Sequence, residues 1–358
     1  MVMNRKNNVF NQVLYVAPNF KRRKGGIASV LELYSQKVGI NFNFYPSAFF
    51  QNTILNFLFL PFSLFYYCFY LLFNPKLKII HIHGASRGSF YRKYFYILIS
   101  KTIFKKKMIY HIHGAEYHLF YKNASLFVRK RIEHIIEMSD ALIVLSEEWK
   151  DYYFKTFNKE KIYVVNNIVE KREVFKKQIN PIISILFLGK IGQRKGVFDL
   201  LEVLKIHKNE LLGLVNINIG GNGETSLLKL KIKEFELEDI VNYVGWVTGD
   251  KKDLLYKSND VIILPSYNEG LPISLLEAMS YAMPLISTNV GGIPQILEDK
   301  VNGIMIEPGN KEQIFEAIKF YVDNPNKIVN HGANSYMRIT PFFPEEVMKQ
   351  LEIIYNEI

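Results

Sequence analysis

From Asp260 to Glu277 the chain reads D-V-I-I-L-P-S-Y-N-E-G-L-P-I-S-L-L-E. Asp260 to Leu264 is an apolar run closed by Pro265 and Ser266, the pattern of a buried strand. Ile273 to Ala282 has helix-forming composition and no breaker. Glu269 therefore falls in the loop at the strand's carboxyl end, and residues 271 to 274 open the helix. Backbone N–H groups at a helix start, reinforced by the helix dipole, suit a phosphate. Glu277 lies about one turn in, where its two oxygens can accept from a pair of neighbouring hydroxyls. One short segment thus offers a phosphate cradle and two diol acceptors, the outline of a nucleotide-sugar site. The plainer alternative is a loop charge followed by a solvated helix charge.

Outward from this segment, short apolar runs alternate with helical stretches. Candidate strands are 13–17, 77–83, 108–113, 141–145 and 162–166, then 183–188, 215–219, 241–245, 260–264, 284–287 and 303–306. Such alternation implies α/β architecture with parallel sheets and helical crossovers. A chain of 358 residues suggests two domains. The change of composition near Asn166 to Pro181 marks the linker. A single cysteine, Cys68, excludes a disulfide framework and fits a reducing compartment. Met1 to Asn11 is polar and Val13 to Ala17 is too short for a secretory core, so a cytoplasmic location is expected.

The stretch D-V-I-I-L-P-S-Y-N-E-G-L-P-I-S-L-L-E-A-M-S-Y-A-M-P-L-I-S-T-N-V-G-G-I-P-Q-I-L, from Asp260 to Leu297, resembles the signature of the retaining glycosyltransferases of the glycogen-synthase-like type (family 4, GT-B fold). The resemblance continues into Asn302-Gly303 and Pro308-Gly309. It reaches back to G-W-V at Gly245, G-G-N-G-E at Gly220 and L-G-K-I-G-Q-R-K-G at Leu188. It implies two Rossmann-like domains with parallel sheets facing across a cleft. The first would be an acceptor-side domain, 1–168, completed by the last helix, 342–358; the second would be a donor domain, 169–341.

The resemblance also implies roles. Glu269, Gly270, Leu271, Pro272, Ile273, Ser274 and Glu277 would hold the nucleotide sugar, with Glu277 on the ribose and Glu269 facing the transferred sugar. Lys190 and Lys195, beside Arg194, would stabilise negative charge on the departing diphosphate. The family usually has arginine where this chain has Lys190, which keeps the charge but loses the planar fork. Gly25 and Gly26, after the first strand, match a loop that approaches the donor diphosphate. His113 would reach the donor sugar. A D-x-D motif is absent from the whole chain, which accords with a metal-independent enzyme that has no cofactor beyond a UDP- or GDP-sugar substrate.

Two H-x-H pairs, His81/His83 and His111/His113, leave alternatives open. Spacing of two on a strand puts both rings on one face. That suits metal ligands, histidines hydrogen-bonded at strand ends, or the sugar contact implied for His113. The corresponding second hypothesis is an H-x-H metal-dependent hydrolase or a non-catalytic nucleotide-sugar-binding protein.

Charge is uneven. Residues 1 to 161 hold 24 Lys and Arg against 9 Asp and Glu, net +15; residues 162 to 358 hold 21 against 25, net −4, and the two sum to the chain's +11. Lys21, Arg22, Arg23 and Lys24 form one cluster and Lys105, Lys106 and Lys107 another. A basic half suits nucleic acid, an anionic membrane or a phosphorylated substrate. No nucleic-acid-binding signature is present, and the membrane reading is favoured. Ile54 to Phe73 is 20 residues without a formal charge, but Asn56, Pro61 and Ser63 interrupt it. It reads as a buried or membrane-dipping helix, with an actual crossing as the alternative. The expected acceptor is a polyprenyl-diphosphate-linked or oligosaccharide glycan, met at the inner face of the plasma membrane.

Overall fold

The computed structural model describes residues 9–22, 26–50, 52–114, 116–174 and 180–358. The chain divides into two compact units, Val169–Pro341 and the remainder, in which Phe342–Ile358 joins the amino-terminal segment.

The first unit holds strands β1 (Val13–Pro18), β2 (Asn43–Ala48), β3 (Ile79–Gly84), β4 (Lys107–Ile112), β5 (Ala141–Val144) and β6 (Ile162–Val164). They form one six-stranded sheet of order β2-β1-β3-β4-β5-β6, parallel throughout. β1, β3 and β5 are buried along almost their whole length, as a sheet covered on both faces requires. β2 has no counterpart among the strands expected from sequence. Its N-F-Y-P-S-A carries Pro46, which an edge strand tolerates because one row of its N–H groups has no ladder partner.

The apolar span 54–73 is two helices, Thr53–Leu58 and Leu60–Phe73, joined at Phe59 just before Pro61. Leu60, Ser63, Tyr67 and Leu71 face inward. Ser63 Oγ pairs with Tyr96 OH at 2.6 Å, and Tyr67 OH pairs with Ser100 Oγ at 2.7 Å. The opposite face leaves Phe62 64%, Phe65 60% and Phe73 74% exposed. Among the described residues, no helix is long and apolar enough to cross a membrane.

The second unit holds β7 (Ile183–Leu188), β8 (Val215–Gly220), β9 (Val241–Gly245), β10 (Val261–Leu264), β11 (Leu285–Thr288) and β12 (Gly303–Ile306). Their order is β12-β11-β10-β7-β8-β9, again all parallel. The chain winds one way from β7 to β9 and the other way from β10 to β12. The reversal falls between β7 and β10, the switch point at whose carboxyl ends open α/β sheets bind ligands.

Candidate functional site

In the second unit the loops after β7 and β10 meet at that switch point. Lys195 lies in the turn Gln193–Lys195, and its ammonium bonds Glu269 Oε1. Ser266, directly after β10, donates its hydroxyl to the same oxygen at 2.7 Å. Arg194 Nη1 stands 4.0 Å from Glu269 Oε2 and donates to the Asn268 carbonyl at 2.7 Å. Glu269 is only 4% exposed, so two cations and a hydroxyl offset its desolvation. Lys190 is exposed on the same loop. That loop is tied to the segment Gly220-Gly221-Asn222-Gly223-Glu224 by Ile191 N–H to the Asn222 carbonyl, 2.7 Å, and Glu224 N–H to the Ile191 carbonyl, 3.0 Å.

Glycines set the shape of the Glu269 loop. Gly291 has φ +54°, and a Cβ there would lie 1.9 Å from the Glu269 carbonyl oxygen. Gly292 N–H bonds the Gly270 carbonyl at 2.6 Å. The G-G after β11 therefore presses the Glu269–Gly270 backbone into place. Gly270, Leu271 and Pro272 are buried, and Ile273–Ser280 is a helix whose N-cap, Pro272, makes no side-chain cap. Ile273 and Ser274, half-buried, occupy its first turn. Glu277 is held by two side chains of the helix Asp250–Ser258: Lys252 Nζ donates to Oε1 at 2.5 Å and Tyr256 OH to Oε2 at 2.8 Å. Burial, then the Glu277 charge, pushes the Tyr256 hydroxyl well above its ordinary value, so it stays a donor. Each Glu277 oxygen keeps a second lone pair for a ligand hydroxyl. Lys252 and Tyr256 escape a reading of the sequence, since only helix packing brings them to Glu277, whereas Ser266 stands three residues before Glu269 in the same loop.

In the first unit, the four H-x-H rings gather where β3 lies beside β4, with His83 opposite His111 in register. His81 Nε2 and His111 Nδ1 are 3.1 Å apart, and His83 Nδ1 and His113 Nε2 are 2.8 Å apart. Tyr355 of the terminal helix Pro344–Glu357 closes the group, its hydroxyl 2.6 Å from His81 Nδ1. Burial, then the His113 charge, lowers His81 to about 3. Burial, then Lys93, lowers His113 to about 3. His83 and His111 are pushed well below their ordinary value, chiefly by burial. All four rings are neutral at pH 7.

His81, His83 and His111 each bring a ring nitrogen within 4.8 Å of the others, close enough to consider a metal. However, the His81 and His83 rings are stacked 4.4 Å apart and tilted by only 7°. In-plane lone pairs of parallel rings run side by side and do not converge on one ion, and His81 and His111 already bond each other. The hydrolase alternative gains no ligand geometry from this cluster.

Of the remaining sequence candidates, Gly26 is the first residue of the helix Gly26–Val38, while Gly25, Arg23 and Lys24 lie outside the described residues. Lys21 and Arg22 are exposed. Lys105 and Lys107 are exposed and Lys106 is half-buried. Lys107 Nζ lies 3.8 Å from Asp140, which also binds Lys101 at 2.7 Å, so part of this cluster's charge is matched within the unit.

Solved structures share this architecture. A complex of Anabaena Alr3699/HepE with UDP-glucose has TM-score 0.77 and 14% identity, over 97% of this chain and 99% of that one. The apo lipopolysaccharide outer core galactosyltransferase WaaB has TM-score 0.64 and 19% identity, over 97% and 99%. The fold is GT-B. Residues 169–338 match the model of the family described as glycosyl transferases group 1. An uncharacterized 41.2 kDa protein in the cps region of Klebsiella pneumoniae is 30% identical over 251 residues, 66% of this chain and 67% of that protein.

The chain belongs to the group 1 glycosyltransferases.

An uncharacterized glycosyltransferase of Haemophilus influenzae is 28% identical over 59% of this chain and 60% of its own length. The amylovoran biosynthesis glycosyltransferase AmsD of Erwinia amylovora is 26% identical over 65% of this chain and 66% of its own. The match thus spans about three-fifths to two-thirds of these relatives. The family match covers the entire second unit except its last three residues, including Lys190, Lys195, Glu269 and Glu277.

Proposed function

We propose that this chain is a hexosyltransferase that moves a sugar from a nucleoside diphosphate sugar to a lipid-linked or growing glycan during surface polysaccharide assembly. The observation that carries this reading is the switch point of the second sheet, where Lys195 and Ser266 clamp Glu269 one loop before a helix start and Glu277 follows one turn in. Nucleotide phosphates would lie on the helix start and the exposed Lys190, the ribose diol on Glu277, and the transferred sugar beside Glu269; His113 would be the first unit's sugar contact. Departure of the diphosphate develops negative charge on the leaving oxygen, which Lys190, Lys195 and Arg194 would stabilise without a metal. No base is needed if the acceptor attacks on the face the diphosphate leaves, a leaving phosphate oxygen taking the proton; the anomeric configuration is then retained. Relatives from a capsule region and from amylovoran biosynthesis support the pathway class.

The acceptor-side unit carries features of a peripheral membrane protein. The exposed row on Leu60–Phe73 ends near the amino-terminal edge of β3 and β4, where Lys76, Lys78, Lys105 and Lys107 are all exposed. Aromatic rings flanked by lysines suit an anionic interface such as the inner leaflet of the plasma membrane. A polyprenyl-diphosphate acceptor would be met there. The test is thermal stabilisation across a panel of UDP- and GDP-sugars, since a specific donor stabilises by mass action. NMR of the product linkage then decides retention against inversion.

A further inference from the structure

The proton positions in the buried histidine cluster follow from two nitrogens. His83 Nε2 and His111 Nε2 are buried and have no hydrogen-bond partner among the described residues. A neutral imidazole carries one N–H and one bare nitrogen. Orphaned buried N–H groups are rarer in folded proteins than under-used acceptors, so the two unpartnered atoms are the bare ones. His83 and His111 then carry their protons on Nδ1.

The rest of the network follows in one direction. His111 Nδ1–H donates to His81 Nε2 over 3.1 Å, which places the His81 proton on Nδ1. His81 Nδ1–H donates to the Tyr355 oxygen over 2.6 Å, and Tyr355 O–H donates onward to Tyr15 over 3.2 Å. In the second file His83 Nδ1–H donates to His113 Nε2 over 2.8 Å. His113 Nε2 is thereby an acceptor, and Nδ1–H is the only N–H that this ring can offer. Asn167 lies beside the same ring, and a sugar hydroxyl oxygen would accept from that N–H.

We propose that His83 is a positioning residue that holds His113 in its Nδ1–H form, so that His113 meets the sugar as a hydrogen-bond donor and not as a base. The stack of His111 on His113, ring centres 3.9 Å apart, fixes the ring plane, and the chain from His111 to Tyr355 anchors that plane to the terminal helix. The sugar contact itself rests on the function proposed above; the tautomer does not.

The experiment is a long-range proton–nitrogen NMR correlation on the full chain labelled with 15N-histidine at pH 7.5, with the His113 signals identified by their loss in His113→Asn. The expected pattern for His113 is a neutral ring protonated on Nδ1. His83→Phe keeps the stacking but removes the donor, and His113 should move to the Nε2–H form preferred by free imidazole; His83→Gln, which can donate again, should restore Nδ1–H. With a turned-over donor, His83→Phe should lower kcat at least about 10-fold with little change in donor KM, and His83→Gln should recover most of it. A His113 ring protonated on Nε2 in the unaltered protein overturns the proposal, as does an Nδ1–H pattern that survives in His83→Phe. The unaltered protein's spectrum decides even where His83→Phe does not fold. Because the spectrum needs no turnover, its failure is distinct from failure of the glycosyltransferase reading.

Discussion

Ser266 donates its hydroxyl to Glu269 Oε1 at 2.7 Å while the Lys195 ammonium bonds that same oxygen, so Oε1 is engaged twice and Oε2 stands 4.0 Å from Arg194 Nη1. A carboxylate fixed this way costs no reorganisation when charge shifts beside it. Glu269→Gln keeps the shape and removes the charge. Turnover should fall about 100-fold or more, with donor affinity changed by less than about 1 kcal/mol. Single-turnover rates and calorimetric donor titration separate the two. Equal losses in rate and affinity would make Glu269 a binding group only.

Glu277 sits between Lys252 and Tyr256 with one lone pair on each oxygen still available. Glu277→Ala should weaken nucleotide-sugar binding by roughly 1.5–3 kcal/mol, the range for hydrogen bonds to a charged group. Tyr256→Phe should have a smaller effect of the same sign, because it removes only the group that orients the carboxylate. Calorimetry with the donor and with the free nucleoside diphosphate should show the same loss, since the ribose is common to both. A loss confined to the intact sugar donor would move Glu277 away from the ribose.

The histidine cluster makes stability pH-dependent. His81 and His113 have folded values of about 3 against an ordinary 6.5, so between those limits the unfolded chain binds protons that the folded one does not. Stability attributable to these rings is complete above 6.5 and is lost as pH falls towards 3, with a slope of about 1.4 kcal/mol per pH unit for each ring. Denaturant unfolding at pH 7.5, 6.5 and 5.5 should show a falling midpoint with a first transition in the amino-terminal unit. A flat midpoint across that range would contradict the burial of neutral rings.

The first unit should bind anionic vesicles and release them as salt rises, because exposed charges are screened beyond about 8–10 Å at physiological ionic strength. Phe65→Glu together with Phe62→Glu, both on the outward face of Leu60–Phe73, should abolish co-sedimentation without shifting the unfolding midpoint. Equal, negligible binding to anionic and neutral vesicles would point to a soluble acceptor.

The second sheet's central strand and the helix behind Glu269 are legible in the sequence because an apolar run, a Pro-Ser stop and an unbroken helical stretch are local signals. β2 is not, because Pro46 breaks the strand pattern and only its place at the sheet edge makes it admissible. The same distinction separates the site residues. Glu269 and Glu277 stand in a recognisable segment, whereas Lys252 and Tyr256 reach Glu277 from another helix, and Tyr355 reaches His81 across 274 residues. The span 54–73 shows its uncharged length and the Pro61 that breaks it in sequence, but the choice of inward face comes from packing against Tyr96 and Ser100.

The most direct test of the account is release of nucleoside diphosphate from a panel of UDP- and GDP-sugars, measured with and without a polyprenyl-diphosphate-linked glycan in anionic vesicles. One donor should give acceptor-dependent release and a glycosylated lipid product. If a donor binds and stabilises the protein, yet no donor gives release or product with any lipid-linked or oligosaccharide acceptor, the claim of catalysed sugar transfer is contradicted.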